Sequence, residues 1–386
     1  MYKQTKWLFI LAAMLLLMLT LGGCGADDAA TASDASAQDT ETGETAPKDI
    51  PKLRVGYIHN DHSSPIMVAA AKADEFSDFG VYLNRVVDKE LYQLMQDGEP
   101  VADFELIVTN SGSDAASLFA SGQLDISFFS STVVMNSRDR DIPVKVLGPI
   151  HTEGNNVVFT TDLELEGWDD FYTYVKGQPE PVKIGFLSPT SAATIILKGG
   201  LESNGITFTE DPADMSADVL LINLRAGSNF MPSVISGEVE GFVAPSPWPL
   251  VAEHEGVAKT VFDLRDMPPE GSWVDFPCCC LVTSDDALVN YGEVLAVFVE
   301  LMNKTAAFCN EERDEAGAII SQWIGIPEAA AKRTTVNYTT YPSEGWLRGN
   351  EILYGVLSES DHFEGNLKDK TFEEVKDLIF DFRFTK

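Results

Sequence analysis

The chain has 386 residues, 45% of them hydrophobic, with 60 acidic against 27 basic side chains and a formal net charge of −33. That length has room for two domains with cores of their own, and the apolar share is too high for a disordered chain. The acid excess excludes a protein that grips phosphate backbones, so nucleic acid is not a partner, and it argues against a peripheral protein held by anionic lipid.

Lys3 and Lys6 precede a nearly unbroken apolar run from Trp7 to Leu21, which ends in Gly22-Gly23-Cys24. Length and flanks read as a secretory signal over residues 1–23 rather than a spanning helix. The small-small-Cys ending resembles the bacterial lipobox. That resemblance implies acylation of Cys24, which would become the new N-terminus and hold the protein to the membrane on its extracytoplasmic side. An uncleaved N-terminal anchor is the alternative. Residues 24–50 are mostly Ala, Thr, Ser, Asp and Glu, a flexible acidic tether with almost nothing to bury.

From Lys52 onward, apolar runs of strand length alternate with helical segments. Strands are predicted over 53–58, 81–87, 104–109, 124–129 and 143–150, and helices over 65–79, 115–120 and 132–137. The pattern then restarts, with strands at 182–187, 218–222 and 241–244 and helices at 191–203, 232–236 and 249–255. Asn204-Gly205 supplies a helix stop. A last strand over 279–282 precedes a helical C-terminal third, with helical spacing over 293–308, 312–323, 328–333, 347–357 and 372–382. Such alternation predicts an α/β fold in two lobes with mostly parallel sheets and a helical C-terminal extension, and a ligand cleft between the lobes.

Ala120-Ser121-Gly122-Gln123-Leu124-Asp125-Ile126 is echoed by Ile235-Ser236-Gly237-Glu238-Val239-Glu240-Gly241. In both, a helix ends on a Ser-Gly turn and an acidic residue leads into a strand. Together with Val55-Gly56-Tyr57-Ile58 and Phe276-Pro277-Cys278-Cys279-Cys280, these motifs resemble the solute-binding lipoproteins of bacterial ABC importers. The group is that of nitrate, sulfonate, taurine, bicarbonate and thiamine-pyrimidine precursors. The resemblance covers about residues 52–285. It implies a type II periplasmic-binding fold that closes on a small solute and delivers it to a permease with its ATPase, working as a monomer without a cofactor. Lobe 1 would comprise 51–152 and 277–386 and lobe 2 153–276, with hinges at Gly154 and at Phe276, Pro277 and Cys278. A pyrimidine-precursor synthase of the same fold and a ligand-sensing lipoprotein are the alternatives.

Ligands of open α/β sheets lie beyond the carboxyl ends of strands, which selects the candidate site. His62, Ser63 and Ser64 follow the first strand, Ser111 and Gly112 the third, and Ser130, Ser131 and Thr132 the fourth. Hydroxyls and free N–H groups at helix starts grip polar or anionic groups, although capping is their commoner use. Thr190 and Ser191 hold the matching place in the second lobe, with Glu153 and Asn155 at the first crossover. Asn223 and Arg225 follow another strand, where Arg225 offers a charged fork to an oxyanion or else a surface ion pair. Trp248, in a proline-stiffened turn, either stacks on the ligand or plugs the lobe edge. Neither a nucleophile elbow, a phosphate loop nor a His-Glu zinc motif occurs, so no catalytic residue is assigned. Three consecutive cysteines on an extended strand cannot all face one metal, and no histidine accompanies them at ligand spacing. No metal site is expected there, and a disulfide to Cys309 stays open.

Overall fold

The computed structural model describes residues 50–385; the signal segment, Cys24 and the acidic tether lie outside the described residues. The first six strands are β1 (Lys52–Ile58), β2 (Val81–Val87), β3 (Leu91–Gln96), β4 (Glu99–Thr109), β5 (Ile126–Ser130) and β6 (Val144–Pro149). A short β7 (His151–Glu153) carries the chain across to β8 (Asn155–Thr160), β9 (Val182–Phe186), β10 (Phe208–Thr209), β11 (Val219–Asn223), β12 (Gly241–Pro245) and β13 (Ala258–Asp263). The chain returns in β14 (Cys279–Ser284), and β15 (Val336–Tyr338) pairs with β7.

Among the described residues these strands form a seven-stranded sheet, β2-β3-β4-β1-β5-β14-β6, and a six-stranded sheet, β10-β11-β9-β12-β8-β13. Each sheet has a parallel centre. β1 lies between β4 and β5, in register from Lys52↔Asp103 to Ile58↔Thr109 on the β4 side, and β9 lies between β11 and β12. β1 buries Leu53, Val55 and Tyr57 on one face, while on the other only Gly56 is buried and Arg54 and Ile58 are half-buried. The sequence reading placed no strand at β3, β8 or β13; β3, whose Asp97-Gly98 turn makes an antiparallel hairpin with β4, was hidden because Leu91–Gln96 carries two glutamines and no β-branched residue.

Besides the β2-β3-β4 hairpins, β14 and β8 run antiparallel to their neighbours. β14 pairs with β5 and β6, and β8 with β12 and β13. An antiparallel strand begins where its parallel neighbours end, so Cys278–Cys279 and Asn155 enter their sheets at the ligand-facing edge. The two crossovers run side by side: the Glu153 N–H donates to the Phe276 carbonyl at 3.1 Å, and Thr152 bridges to Pro277.

The helices that the sequence placed form with one interruption, and Gly167–Gly177 and Asp285–Asn290 are helices that it did not place. The predicted 65–79 helix breaks at Lys72 into Ser64–Ala71 and Ala73–Ser77. The long Gly292–Glu311 and Arg313–Ile324 helices pack on the Ser64–Ala71 helix, and Glu344–Glu359 packs against both Ser131–Asp139 and Ala192–Ser203. Ser191 and Ser343 cap their helices by accepting the Thr194 and Trp346 N–H groups. No helix among the described residues is long and apolar enough to cross a membrane.

Candidate functional site

Strand ends and helix starts converge between the two sheets. Ile58, Phe129 and Ser130 end β1 and β5, while Leu187, Ser188 and Pro245 stand at the ends of β9 and β12. Between them lies a cavity of about 50 Å³, several times the roughly 10–15 Å³ that one water needs. Ser111, Ser130 and Ser191 each occupy the N-cap of a helix whose start faces this space. Partial positive charge from the first-turn N–H groups therefore reaches it from three sides. Gly112 lets one helix come close: a Cβ there would stand 2.9 Å from the Phe129 Cβ.

The cavity wall also offers unpaired acceptors. Asn60 Oδ1 and Asn155 Oδ1 are buried without a donor, and Asp61 Oδ1 just outside the wall is in the same state. The Asn155 amide orientation follows from its Nδ2, which donates to the Glu153 carbonyl at 3.3 Å. No lysine or arginine is among the lining residues. Ile58, Phe129, Val133 and Leu187 supply the apolar part of the wall. The lobes touch directly over it. Thr132 Oγ1 donates to the Thr190 carbonyl at 2.7 Å, and the Ser113 and Thr190 hydroxyls lie 3.2 Å apart. This is a closed arrangement.

The sequence matches the profile of the NMT1-like family over residues 46–325. The chain belongs to the NMT1-like family. An uncharacterized protein of Methanocaldococcus jannaschii is 32% identical over 107 residues, 27% of this chain and 74% of that protein. Solved structures that resemble this fold include the following three. A ligand-binding component of an ABC-type import system from Staphylococcus aureus, with zinc bound, superposes with a TM-score of 0.66 at 15% identity, covering 86% of this chain and 97% of the other. The periplasmic nitrate-binding protein of Synechocystis gives 0.64 at 14% identity, with 87% of each chain covered. The alkanesulfonate-binding protein of Xanthomonas axonopodis pv. citri, bound to MOPS, gives 0.60 at 12%, covering 82% and 96%. The fold of this NMT1-like protein is thus that of the periplasmic binding proteins.

Of the residues singled out from the sequence, His62, Ser111, Gly112, Ser130, Asn155, Ser191 and Cys278 line the cavity. Others sit just behind it. Ser63 Oγ accepts the Ile58 N–H at 3.3 Å, Ser64 Oγ donates to the Asp61 carbonyl at 2.6 Å, and Ser131 is fully buried. Thr132 and Thr190 make the interlobe contact instead of facing the cavity.

Four placements differ more. Glu153 turns away, its carboxylate accepting from Arg265 at 2.9 Å and from the Asp275 N–H at 3.0 Å. Asn223 and Arg225 end β11, one strand outside the β9–β12 pair. There Asn223 Oδ1 accepts the Arg225 N–H at 3.1 Å in an exposed turn, and Arg225 has φ +68°. Trp248 lies over Gly227, where a Cβ would meet its ring at 2.3 Å, and packs with the small apolar cluster of the second sheet. Phe276, expected at a hinge, is buried against Trp273, ring centroids 4.9 Å apart.

Asn60, Ser188 and Cys279 line the cavity without having been assigned a role, although the same strand-end rule that chose their neighbours reaches them. His151 is the larger omission. The fold brings it and His62 beside Cys278 and Cys279, so the expectation that no histidine accompanies the cysteines fails. Spacing along the chain could not show this, because the partners come from a loop and two separate crossovers. Strand alternation fails as well, since Cys278 precedes β14 and can face the same way as Cys279. Cys278 Sγ lies 3.4 Å and Cys279 Sγ 3.8 Å from His62 Nδ1, and the imidazole centroids are 4.1 Å apart. All four described cysteines carry free thiols, so Cys309 forms no disulfide with them.

The cluster is electrostatically linked. A hydrogen bond from the Cys279 thiol, helped by both imidazoles, pulls the Cys278 thiol well below its usual range, and the same bond raises Cys279. Burial opposes a charge on His62, but Cys278 and Asp61 outweigh it and raise His62 on balance. Burial, followed by the neighbouring His62, lowers His151.

Proposed function

We propose that this protein is the extracytoplasmic solute-binding lipoprotein of an ABC importer, anchored through Cys24 and delivering its solute to a permease and ATPase. The observation that carries this reading is the closed cavity between two sheets, walled by three helix starts and by buried asparagine oxygens that have no donor. In this reading residues 51–152 with 277–386 move against 153–276, through Gly154 and through Phe276, Pro277 and Cys278.

The wall also selects the solute. Helix starts favour an acceptor such as a carboxylate, a carbonyl or a ring nitrogen, while Asn60 and Asn155 require N–H or O–H donors. Nitrate or an alkanesulfonate would leave both asparagine oxygens unpaired, at about 1–3 kcal/mol each. A compact heteroaromatic of the pyrimidine class, or a small carboxylate bearing an amine or hydroxyl, satisfies both kinds of group.

A thermal-shift screen over pyrimidines, amino- and hydroxycarboxylates, sulfonates, nitrate and bicarbonate tests this. A ligand at about 100 times its dissociation constant should stabilise the protein by ~2.7 kcal/mol. Turnover of the best hit would replace the transport reading by the synthase-like one, and hits confined to sulfonates and nitrate would overturn the solute class.

A further inference from the structure

The His62, His151, Cys278 and Cys279 side chains form a group that solute capture does not explain. One potential ligand atom from each lies within 4.8 Å of the other three, and all four residues are buried. We propose that this group binds one thiophilic divalent cation, zinc being the fitting probe, as a two-imidazole, two-thiolate centre at the wall of the solute cavity, which His62, Cys278 and Cys279 line.

The ring contacts support this independently of the spacing. His62 Nε2 lies 3.0 Å from the Gly154 carbonyl, which also accepts the Ser246 N–H at 2.8 Å. His151 Nδ1 lies 3.3 Å from the Thr152 carbonyl. A carbonyl can only accept, so each of these outer nitrogens carries the proton. The lone pair of His62 is then on Nδ1, facing both sulfurs. That of His151 is on Nε2, where it takes a long 3.4 Å contact from the Cys279 N–H that a bound cation would replace. Metal-binding histidines are commonly held this way, the outer N–H donated to a backbone carbonyl and the bare nitrogen turned inward.

Size and charge fit as well. Bonds of about 2.0–2.1 Å to nitrogen and 2.3 Å to sulfur place tetrahedral ligands roughly 3.3–3.8 Å apart. The two measured sulfur–nitrogen separations, 3.4 and 3.8 Å, fall in that range. On binding, Cys278 and Cys279 each lose a thiol proton to solvent, and the two thiolates balance the divalent charge in a buried place. The ligands come from the loop after β1 and from both crossovers, so the cation would fasten the strands between the lobes to the first sheet.

The test titrates full-length reduced, chelator-treated protein with zinc, and with cobalt(II) as a spectroscopic probe. One equivalent should bind, with a thiolate-to-cobalt charge-transfer band and tetrahedral ligand-field absorption, and zinc should raise the melting temperature. Cys278→Ser and Cys279→Ser should each weaken zinc binding by about 100-fold or more, the upper end of what loss of an outer-shell partner alone costs. Cys309→Ser, remote from the group, should bind as the parent does. His151→Gln gives a second route should a serine variant misfold: it should keep thiolate absorption but lose affinity. Absence of binding by the folded reduced protein would overturn the proposal, as would binding that survives both serine substitutions unchanged. Running the solute screen with chelator present keeps this result separate from the solute reading.

Discussion

At the scale of single residues, Asp263 shows a carboxylate held against its preference. It ends β13 at 7% exposure; burial raises its pKa to about 6, although its Oδ1 accepts the Arg265 N–H and the guanidinium lies nearby. Its ordinary value is 3.8. Between those two pH values the folded protein holds a proton that the unfolded chain has released, so stability falls as pH rises through this window. Above it a penalty of about 3 kcal/mol persists. Asp263→Asn should therefore stabilise the protein at pH 7.5, and the gain should vanish near pH 3.5; urea melts at both values check this. Gly154 is the opposite kind of residue, fixed by shape. At φ +77° a Cβ would stand 2.5 Å from Val336 Cγ2 and 3.1 Å from His62 Nε2. Gly154→Ala should cost about 3 kcal/mol, read by chemical denaturation, through the strained backbone and the displaced β15.

At the scale of elements, what sequence periodicity conveys and what it hides are both visible. The serines at strand-to-helix junctions were legible because capping and ligand binding ask for the same residue types at the same place, and Ser111, Ser130 and Ser191 do reach the cavity. Hydrophobic alternation likewise located β1, β5, β9 and β12, whose apolar runs are buried. It cannot say which strand ends meet across a cleft, and that is why Arg225 stood as a candidate while it lies beyond an outer strand. The His–Cys group was hidden for the same reason, being assembled by the loop after β1 and the two crossovers. Trp248 supplies a test at this level. Its ring fills the notch above Gly227 between β12 and the turn after β11, so Trp248→Ala should cost about 3 kcal/mol of stability. The dissociation constant of the best solute should stay unchanged in isothermal titration; a marked loss of affinity would restore the stacking role.

For the whole molecule, the question is how a solute enters a space that is walled on both sides. Thr132 and Ser113 of the first sheet's side meet Thr190 of the second's over the cavity, and in the proposed solute cycle these contacts would part on opening. The paired crossovers β7 and Phe276–Cys278 are where the chain passes between the sheets, and the Glu344–Glu359 helix, packed on helices of both, would have to slide over one of them if the lobes open as proposed. Closure that buries the solute gains contacts from both lobes, and the affinity measured includes the fraction of molecules able to close. Removing the Thr132 hydroxyl should weaken the closed state by about 1 kcal/mol, a roughly fivefold shift toward the open form. Thr132→Val should accordingly raise the solute dissociation constant by up to about fivefold while the association rate changes little. Small-angle scattering should show the solute-free protein larger than the saturated one, with the difference persisting in Thr132→Val at higher solute concentration. A radius of gyration indifferent to saturating solute would mean that the lobes do not part, and entry would then have to proceed through side-chain motion at the cavity mouth.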